Sequence, residues 1–291
     1  MSGARRARIG ILGGSGLYDL AGLDGSEDVR LDTPFGPPSD AFRLGTIDGR
    51  EVAFLARHGR DHHLLPSEIN YRANVYGFKL MGVERILSAS AVGSMKETIR
   101  PRDVVLPDQF VDRTRGRAST FFGSGIVAHV AFADPVCPEA RGVLLDAARR
   151  EGATAHDGGA YLCMEGPAFS TRAESRLYRS WGVEVIGMTN LQEAKLSREA
   201  EICYATLALV TDFDCWHEEE EDVSIGAVLE NLRANARLAA AILRRAAIEL
   251  PVERLACGCG RALERAIITR RDAIPAEARD RLRPLVGRYL D

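Results

Sequence analysis

The stretch Ile202-Cys203-Tyr204-Ala205-Thr206-Leu207-Ala208-Leu209-Val210 runs directly into Thr211-Asp212-Phe213-Asp214-Cys215-Trp216. A short apolar run of this kind reads as a parallel strand buried on both faces. Ligands in open α/β sheets sit outside the carboxyl ends of such strands, so Asp212 and Asp214 stand at the mouth of a candidate site. A protonated carboxyl group offers an acceptor and an O–H donor side by side, which complements the N6 donor and N7 acceptor of a 6-aminopurine. The competing reading has both aspartates capping the next turn or pairing with arginines.

Working outward from this strand, strand-like and helix-like segments alternate along the chain, with no internal repeat and no linker. Strands are expected at Arg8–Leu12, at Ala41–Ile47 and Glu51–Ala56 as a hairpin around Asp48-Gly49, and at Arg85–Val92, Val104–Val111, Tyr161–Met164 and Val183–Met188. Helices are expected at Glu68–Met81, Pro138–Arg150, Arg172–Trp181, Leu191–Glu201 and Ile225–Ala247, from apolar spacing and cap signals. The pattern gives one α/β domain with a central mixed sheet flanked by helices. Residues 1–250 form the expected catalytic domain and 251–291 a helical extension carrying Cys257-Gly258-Cys259.

Composition narrows the function classes. A chain of 291 residues with 46% hydrophobic residues can bury a large core. A net charge of −3 without a basic stripe gives no reason to expect nucleic acid or an anionic membrane as partner. The basic start at Arg5, Arg6 and Arg8 is followed by too short an apolar stretch for a signal peptide, and the expected location is the cytoplasm. Six dispersed cysteines do not read as a disulfide framework.

Four further segments each close an expected element. Gly13-Gly14-Ser15-Gly16 can lay backbone N–H groups and a hydroxyl around an anion, although its spacing is neither a dinucleotide fingerprint nor a P-loop; a plain tight turn is the alternative. Arg57-His58 follows an apolar strand, where a guanidinium can grip phosphate through two parallel bonds. The nearby His62 and His63 invite a metal reading that lacks a partner cluster, so no metal is expected. Ser90-Ala91 belongs to a strand end rich in small residues, and Phe169, before a capping box at Thr171 and Glu174, can stack on a base.

Taken in order, Ala56-Arg57-His58-Gly59-Arg60, Glu165-Gly166-Pro167, Phe169-Ser170, Arg172-Ala173-Glu174 and Thr211–Trp216 resemble the trimeric nucleoside phosphorylases, over a span from Ile9 to about Ala247. The resemblance implies that phosphate attacks C1′ of a purine nucleoside without metal or organic cofactor, phosphate being a co-substrate. It implies phosphate binding by Ser15, Arg57, His58, Ser90, Ala91 and Thr189, with Met188 under the ribose and Phe169 beside the purine. Asp212 and Asp214 would face the N6 and N7 edge and, with His58, carry the catalysis. Ile225, Val228 and Leu229 would line an apolar 5′ pocket suited to a methylthio group, and His129 would close the 5′ end from a neighbouring subunit. The implied assembly is a homo-oligomer, a trimer or a dimer of trimers. The leading substrate is 5′-methylthioadenosine; adenosine, inosine and a 5′-halogenated 5′-deoxyadenosine are the enzyme alternatives, and a non-catalytic nucleotide-binding protein is a third class. Departures from the family pattern fall at Asn190-Leu191-Gln192-Glu193 and in the acidic stretch Glu218–Asp222, and the two tail cysteines are read as reduced surface thiols.

Overall fold

A computed structural model describes residues 7–20, 22–217, 225–253 and 257–290, and the side chains of all of these except 225–229. The described chain runs β1 (Ile9–Gly13), β2 (Asp24–Val29), β3 (Phe42–Ile47), β4 (Arg50–Ala56), α1 (Tyr71–Leu80), β5 (Arg85–Ser94), β6 (Val104–Leu106) and β7 (Gln109–Arg113). It continues through α2 (Pro138–Arg150), β8 (Ala155–Asp157), β9 (Ala160–Met164), α3 (Arg172–Ser180), β10 (Val185–Gly187), α4 (Asn190–Glu199), β11 (Cys203–Asp212), α5 (Ile225–Glu249) and α6 (Ala276–Leu290).

The strands form one mixed sheet in which β4, β1, β5 and β11 lie side by side and parallel. Their carboxyl ends therefore meet on one edge, at Gly13, Ala56, Gly93 and Asp212. Strand β5 belongs to three pairings, lying parallel to β11 along most of its length, parallel to β1 over Arg85–Ser88 and antiparallel to β10 at Gly93 and Ser94. Every residue of β11 from Cys203 to Thr211 is buried, as expected for a strand covered on both faces. One covering layer includes Leu144 of α2 and Ile242 and Ala246 of α5; the other includes Val75 of α1, Leu196 of α4 and Leu282 of α6. Leu263, Ile274, Leu285 and Val286, from the expected extension, share that second cluster with α1.

Among the departures from the expected elements, which include the unexpected strand β8, two have identifiable reasons. The strand expected over Val104–Val111 is two strands, with β6 pairing β11 and β8 and β7 pairing β9. Pro107 has no N–H for a ladder, and Asp108 turns the chain by accepting from the Gly159 N–H at 3.0 Å. Strand β2 was not expected at all. Its residues are polar and almost all exposed, so no alternation marks it, and it forms by edge pairing to β3. The hairpin between β3 and β4 has Asp48 and Gly49 at φ 49° and 74°, the pair of left-handed residues a tight two-residue turn requires.

Candidate active site

The carboxyl ends of the four parallel strands and the loops after β9 and β10 enclose a cavity of about 350 Å³. It is lined at one end by Ser15, Arg57, His58, Ser90, Ala91 and Thr189, and at the other by Phe169, Met188, Asp212 and Asp214. All ten residues were expected at a site from the sequence, and the fold brings them together. Phe169 is 78% exposed at the cavity rim.

The β11 end is shaped by a bulge. Val210 pairs with Val92 and Asp212 with Gly93, so Thr211 is the extra residue and the bulge re-aims the aspartate. The backbone carbonyls of Val210 and Thr211 accept from Asn235 and Asn231 of α5, both at 2.8 Å. A Cβ at Gly93 would lie 3.0 Å from Asp212 Oδ1 and 3.3 Å from Asp214 Cβ, so the bare backbone there lets both carboxylates sit against β5. Asp214 has φ 55°, a left-handed conformation that aspartate tolerates better than most residues.

Burial raises the pKa of Asp212 above the ordinary carboxylate range, against two bonds that favour its charged form. Its Oδ1 accepts from the Asp214 N–H at 2.8 Å, and Oδ2 lies 2.6 Å from Thr211 Oγ1. Burial also raises Asp214, whose Oδ2 accepts from Ser175 Oγ at 2.5 Å, and the charge of Asp212 raises it further. Thr211 Oγ1 also approaches the Val92 carbonyl at 3.2 Å.

The opposite end differs from the expectation at Arg57. The fork is already committed: Nε and Nη2 donate to Glu193 at 2.5 and 3.1 Å, Nη1 to the Ala89 carbonyl at 2.7 Å, and Nη2 also to Ser88 Oγ at 2.5 Å. Four of the five guanidinium hydrogens are thus used, leaving one on Nη1 in place of the expected bidentate grip. Burial alone would lower the Arg57 pKa, but the Glu193 carboxylate outweighs it and the net direction is upward; Arg57 in turn holds Glu193 below its ordinary value. Asn190, Ser88 and Tyr204 complete the network around Glu193, so the stretch that departs from the family pattern builds the base of this pocket. Sequence reasoning missed Glu193 because its partner lies 136 residues away.

His58 is held by its Nδ1, 2.8 Å from the Leu64 carbonyl. A carbonyl only accepts, so Nδ1 carries the hydrogen. Burial, then the charge of Arg57, lowers the His58 pKa to about 4, and the ring is neutral near pH 7 with Nε2 as an acceptor. The His62 ring stacks on it at 4.5 Å, and its Nδ1 meets Tyr18 Oη at 3.0 Å. Among the described residues no metal-ligand group forms around His62 and His63. The glycine loop is a packing device: a Cβ at Gly14 would meet Ala89 O at 2.5 Å and Arg57 Nη1 at 2.6 Å. Its absence lets the loop pack directly against β5 and the Arg57 guanidinium. Thr189 is the N-cap of α4, which puts the positive end of that helix at the cavity wall.

Other expected residues lie elsewhere or outside the described residues. His129 is exposed and lines a different cavity of the same chain, of about 790 Å³, together with Arg198 and Cys259. The side chains of Ile225, Val228 and Leu229, and the stretch Glu218–Asp222, lie outside the described residues. Leu232, one turn further along α5, does line the cavity. The tail cysteines are not surface thiols: Cys259 is buried, Cys257 is half-buried, and both lie close to Cys137 and Cys203.

Residues 8–248 match the model of the Phosphorylase superfamily. The chain is 57% identical over 284 residues to the S-methyl-5′-thioadenosine phosphorylase of Koribacter versatilis, covering 98% of this chain and 97% of the relative. It is also 57% identical to that of Geobacter sulfurreducens, over 97% and 99% of the two chains. Among solved structures, a methylthioadenosine phosphorylase from an antarctic soil metagenomic library superposes with a TM-score of 0.92 at 48% identity, covering 97% of this chain and 99% of the other. The Schistosoma mansoni methylthioadenosine phosphorylase in complex with adenine gives a TM-score of 0.82 at 37% identity, over 86% and 93%.

Proposed function

The chain belongs to the Phosphorylase superfamily, and on that premise we propose that it catalyses the reversible phosphorolysis of 5′-methylthioadenosine to adenine and 5-methylthioribose 1-phosphate. The observation that carries the reading is one cavity with the buried carboxyl groups of Asp212 and Asp214, both raised in pKa by burial, at one end and the Ser15, Arg57, His58 and Thr189 cluster at the other. The two ends are the two things a phosphorolysis must hold: a purine leaving group and an anionic nucleophile.

In the proposed mechanism, phosphate attacks C1′ from the face opposite the purine, and the C1′–N9 bonding pair leaves with the base. Negative charge gathering on the purine is met at N7 by a proton donated from Asp212, whose carboxyl pKa burial raises. The positive charge of the oxocarbenium-like ribose is met by the phosphate itself. Arg57 is neutralised by Glu193, so the phosphate charge rests on the remaining Nη1 hydrogen, the hydroxyls of Ser15 and Thr189, and the N-terminus of α4. His58 Nε2 accepts the hydrogen of a hydrogen phosphate dianion. The balance closes, because phosphate gives up one proton and the purine takes one, and the proton released past His58 returns through solvent to Asp212. No metal or organic cofactor takes part in this mechanism, so EDTA in the assay should leave the rate unchanged.

The finer parts of this reading concern assembly and location. The protein works as a homo-oligomer, a trimer or dimer of trimers, in the cytoplasm, with the partner subunit's His129 closing the 5′ end. Two observations support this: His129 lies away from the cavity of its own chain, and Phe169 stands uncovered at the rim. None of the described helices is long and apolar enough to cross a membrane. Initial rates on 5′-methylthioadenosine, adenosine and inosine in phosphate buffer test the reading. Methylthioadenosine is expected to give the highest kcat/KM; a preference for inosine would reject it.

A further inference from the structure

At the pole of the sheet opposite the cavity, four cysteines converge from three parts of the chain. Cys137 is the N-cap of α2, Cys203 is the first residue of β11, and Cys257 and Cys259 frame the start of a short 3-10 helix, Gly258–Arg261. Their four sulfur atoms all lie within 4.8 Å of one another, and all four cysteines are free. Three are buried and Cys257 is half-buried, so one side of the cluster opens toward solvent.

A metal ion bound tetrahedrally by thiolates at about 2.3 Å sets its sulfurs about 3.8 Å apart. The Cys203 and Cys257 sulfurs stand 3.4 Å apart, and the limit of 4.8 Å on all pairs leaves room for one central ion with small side-chain adjustments. Four thiolates in a tetrahedral set select a soft or borderline cation, zinc above all, and disfavour magnesium or calcium. The spread is too small for a cluster of several irons with one thiolate on each corner.

A second observation comes from the neighbouring strand. Arg85 pairs in parallel register with Cys203, so both side chains share one face of the sheet. Arg85 is 1% exposed, and its Nε and Nη1 have no hydrogen-bond partner among the described residues. Its recorded polar contacts are the Glu253 carbonyl at 2.5 Å and Glu139 at 3.8 Å. A buried guanidinium with spare donors is costly on its own, but beside four thiolates and one divalent ion, which together carry a double negative charge, it compensates charge. Arg198 lines the cavity onto which Cys257 and Cys259 open and supplies a second cation.

We infer that Cys137, Cys203, Cys257 and Cys259 form a structural site for one zinc ion, with Arg85 as the adjacent compensating charge. Binding displaces up to four thiol protons and changes no oxidation state. The ion ties the segment that leads to α6 onto the amino ends of β11 and α2. The nine residue steps of β11 from Cys203 to Asp212 put it about 30 Å from the purine end of the cavity, so its role is to hold the fold.

The test uses the full chain, purified with a thiol reductant and reconstituted with zinc alone, then freed of loose metal. One zinc per chain is expected by elemental analysis, and cobalt in its place should give the intense sulfur-to-metal absorption of a tetrathiolate. Cys259→Ser and the half-buried Cys257→Ser should each weaken zinc binding at least 100-fold and abolish that cobalt spectrum. Their kcat/KM should stay within twofold of the parent at 25 °C, while their thermal midpoint loses its dependence on zinc. If a serine variant does not fold, titration of the parent with a mercurial decides, because four thiols beyond the accessible Cys215 should react for each zinc released. Less than one zinc per ten reduced chains would overturn the site, as would unaltered zinc content in the serine variants. An untreated chain without metal, lighter than the reduced chain by the hydrogens of one or two disulfides, would likewise replace the metal with cross-links.

Discussion

Replacing Asp212 by Asn probes the purine edge with little disturbance of the surrounding framework. Asp212 Oδ1 accepts from the Asp214 N–H at 2.8 Å, and Oδ2 is 2.6 Å from Thr211 Oγ1. An asparagine keeps both contacts, its carbonyl accepting from Asp214 and its amide donating to Thr211, whose hydroxyl then serves the Val92 carbonyl. The change is thus confined to what the side chain offers the base. It loses the transferable proton and gains a fixed donor that suits a 6-oxo group, which leaves an adenine edge mispaired in a buried site. One such mispairing costs about 1–3 kcal/mol, or roughly 5- to 150-fold in kcat/KM. The assay compares kcat/KM for 5′-methylthioadenosine with that for 5′-methylthioinosine, two substrates identical at the 5′ end. Their ratio in Asp212→Asn should fall by that factor while the melting temperature stays near that of the parent. An unchanged ratio in a variant with native stability would refute the assignment of Asp212 to the purine.

Three other perturbations follow from the same geometry. Arg57→Ala strands the fully buried Glu193 carboxylate, and loss of one partner of such a pair costs about 3–5 kcal/mol; urea unfolding should show this loss, whereas a stable Arg57→Ala with only weaker phosphate binding would mean that the pair is not structural. Glu199, buried, accepts from Thr120 Oγ1 and the Phe121 N–H, and burial pushes its pKa up to about 7. The raised value means that its contribution is full below the ordinary carboxylate pKa and is lost as pH rises through 7, a loss of about 3 kcal/mol by the 1.36 kcal/mol per pKa unit rule. Glu199→Gln should flatten the fall in stability between pH 5 and pH 8, and a parallel pair of curves would contradict it. Mixing His129→Ala with Asp212→Ala chains, once subunit exchange is verified by native mass spectrometry, should restore activity above either parent; verified mixed oligomers without a gain would argue against His129 acting in trans.

The sequence made legible whatever local pattern governs. Strand β11 is visible because all its buried residues are consecutive, and α3 because Thr171 and Glu174 form both bonds of a capping box. Ten of the residues that line the cavity were readable because most of them lie in or just after the carboxyl end of a strand, where an α/β sheet places function. What stayed hidden depends on distant partners. Arg57 was read as a free phosphate fork because nothing near it in the chain announces Glu193. The cysteines looked dispersed because α2, β11 and the tail meet only in the folded chain. Strand β2 has no apolar face to betray it, and exists through pairing alone.

The central claim is that this cavity joins phosphate to the ribose of a nucleoside as the purine departs. It is tested most directly by incubating the protein with 5′-methylthioadenosine in phosphate and in phosphate-free buffer, and measuring both products by chromatography with mass detection. The account predicts adenine and 5-methylthioribose 1-phosphate in equal amounts with phosphate, and neither without it. Adenine released at the same rate in the absence of phosphate, with free 5-methylthioribose beside it, would contradict the account.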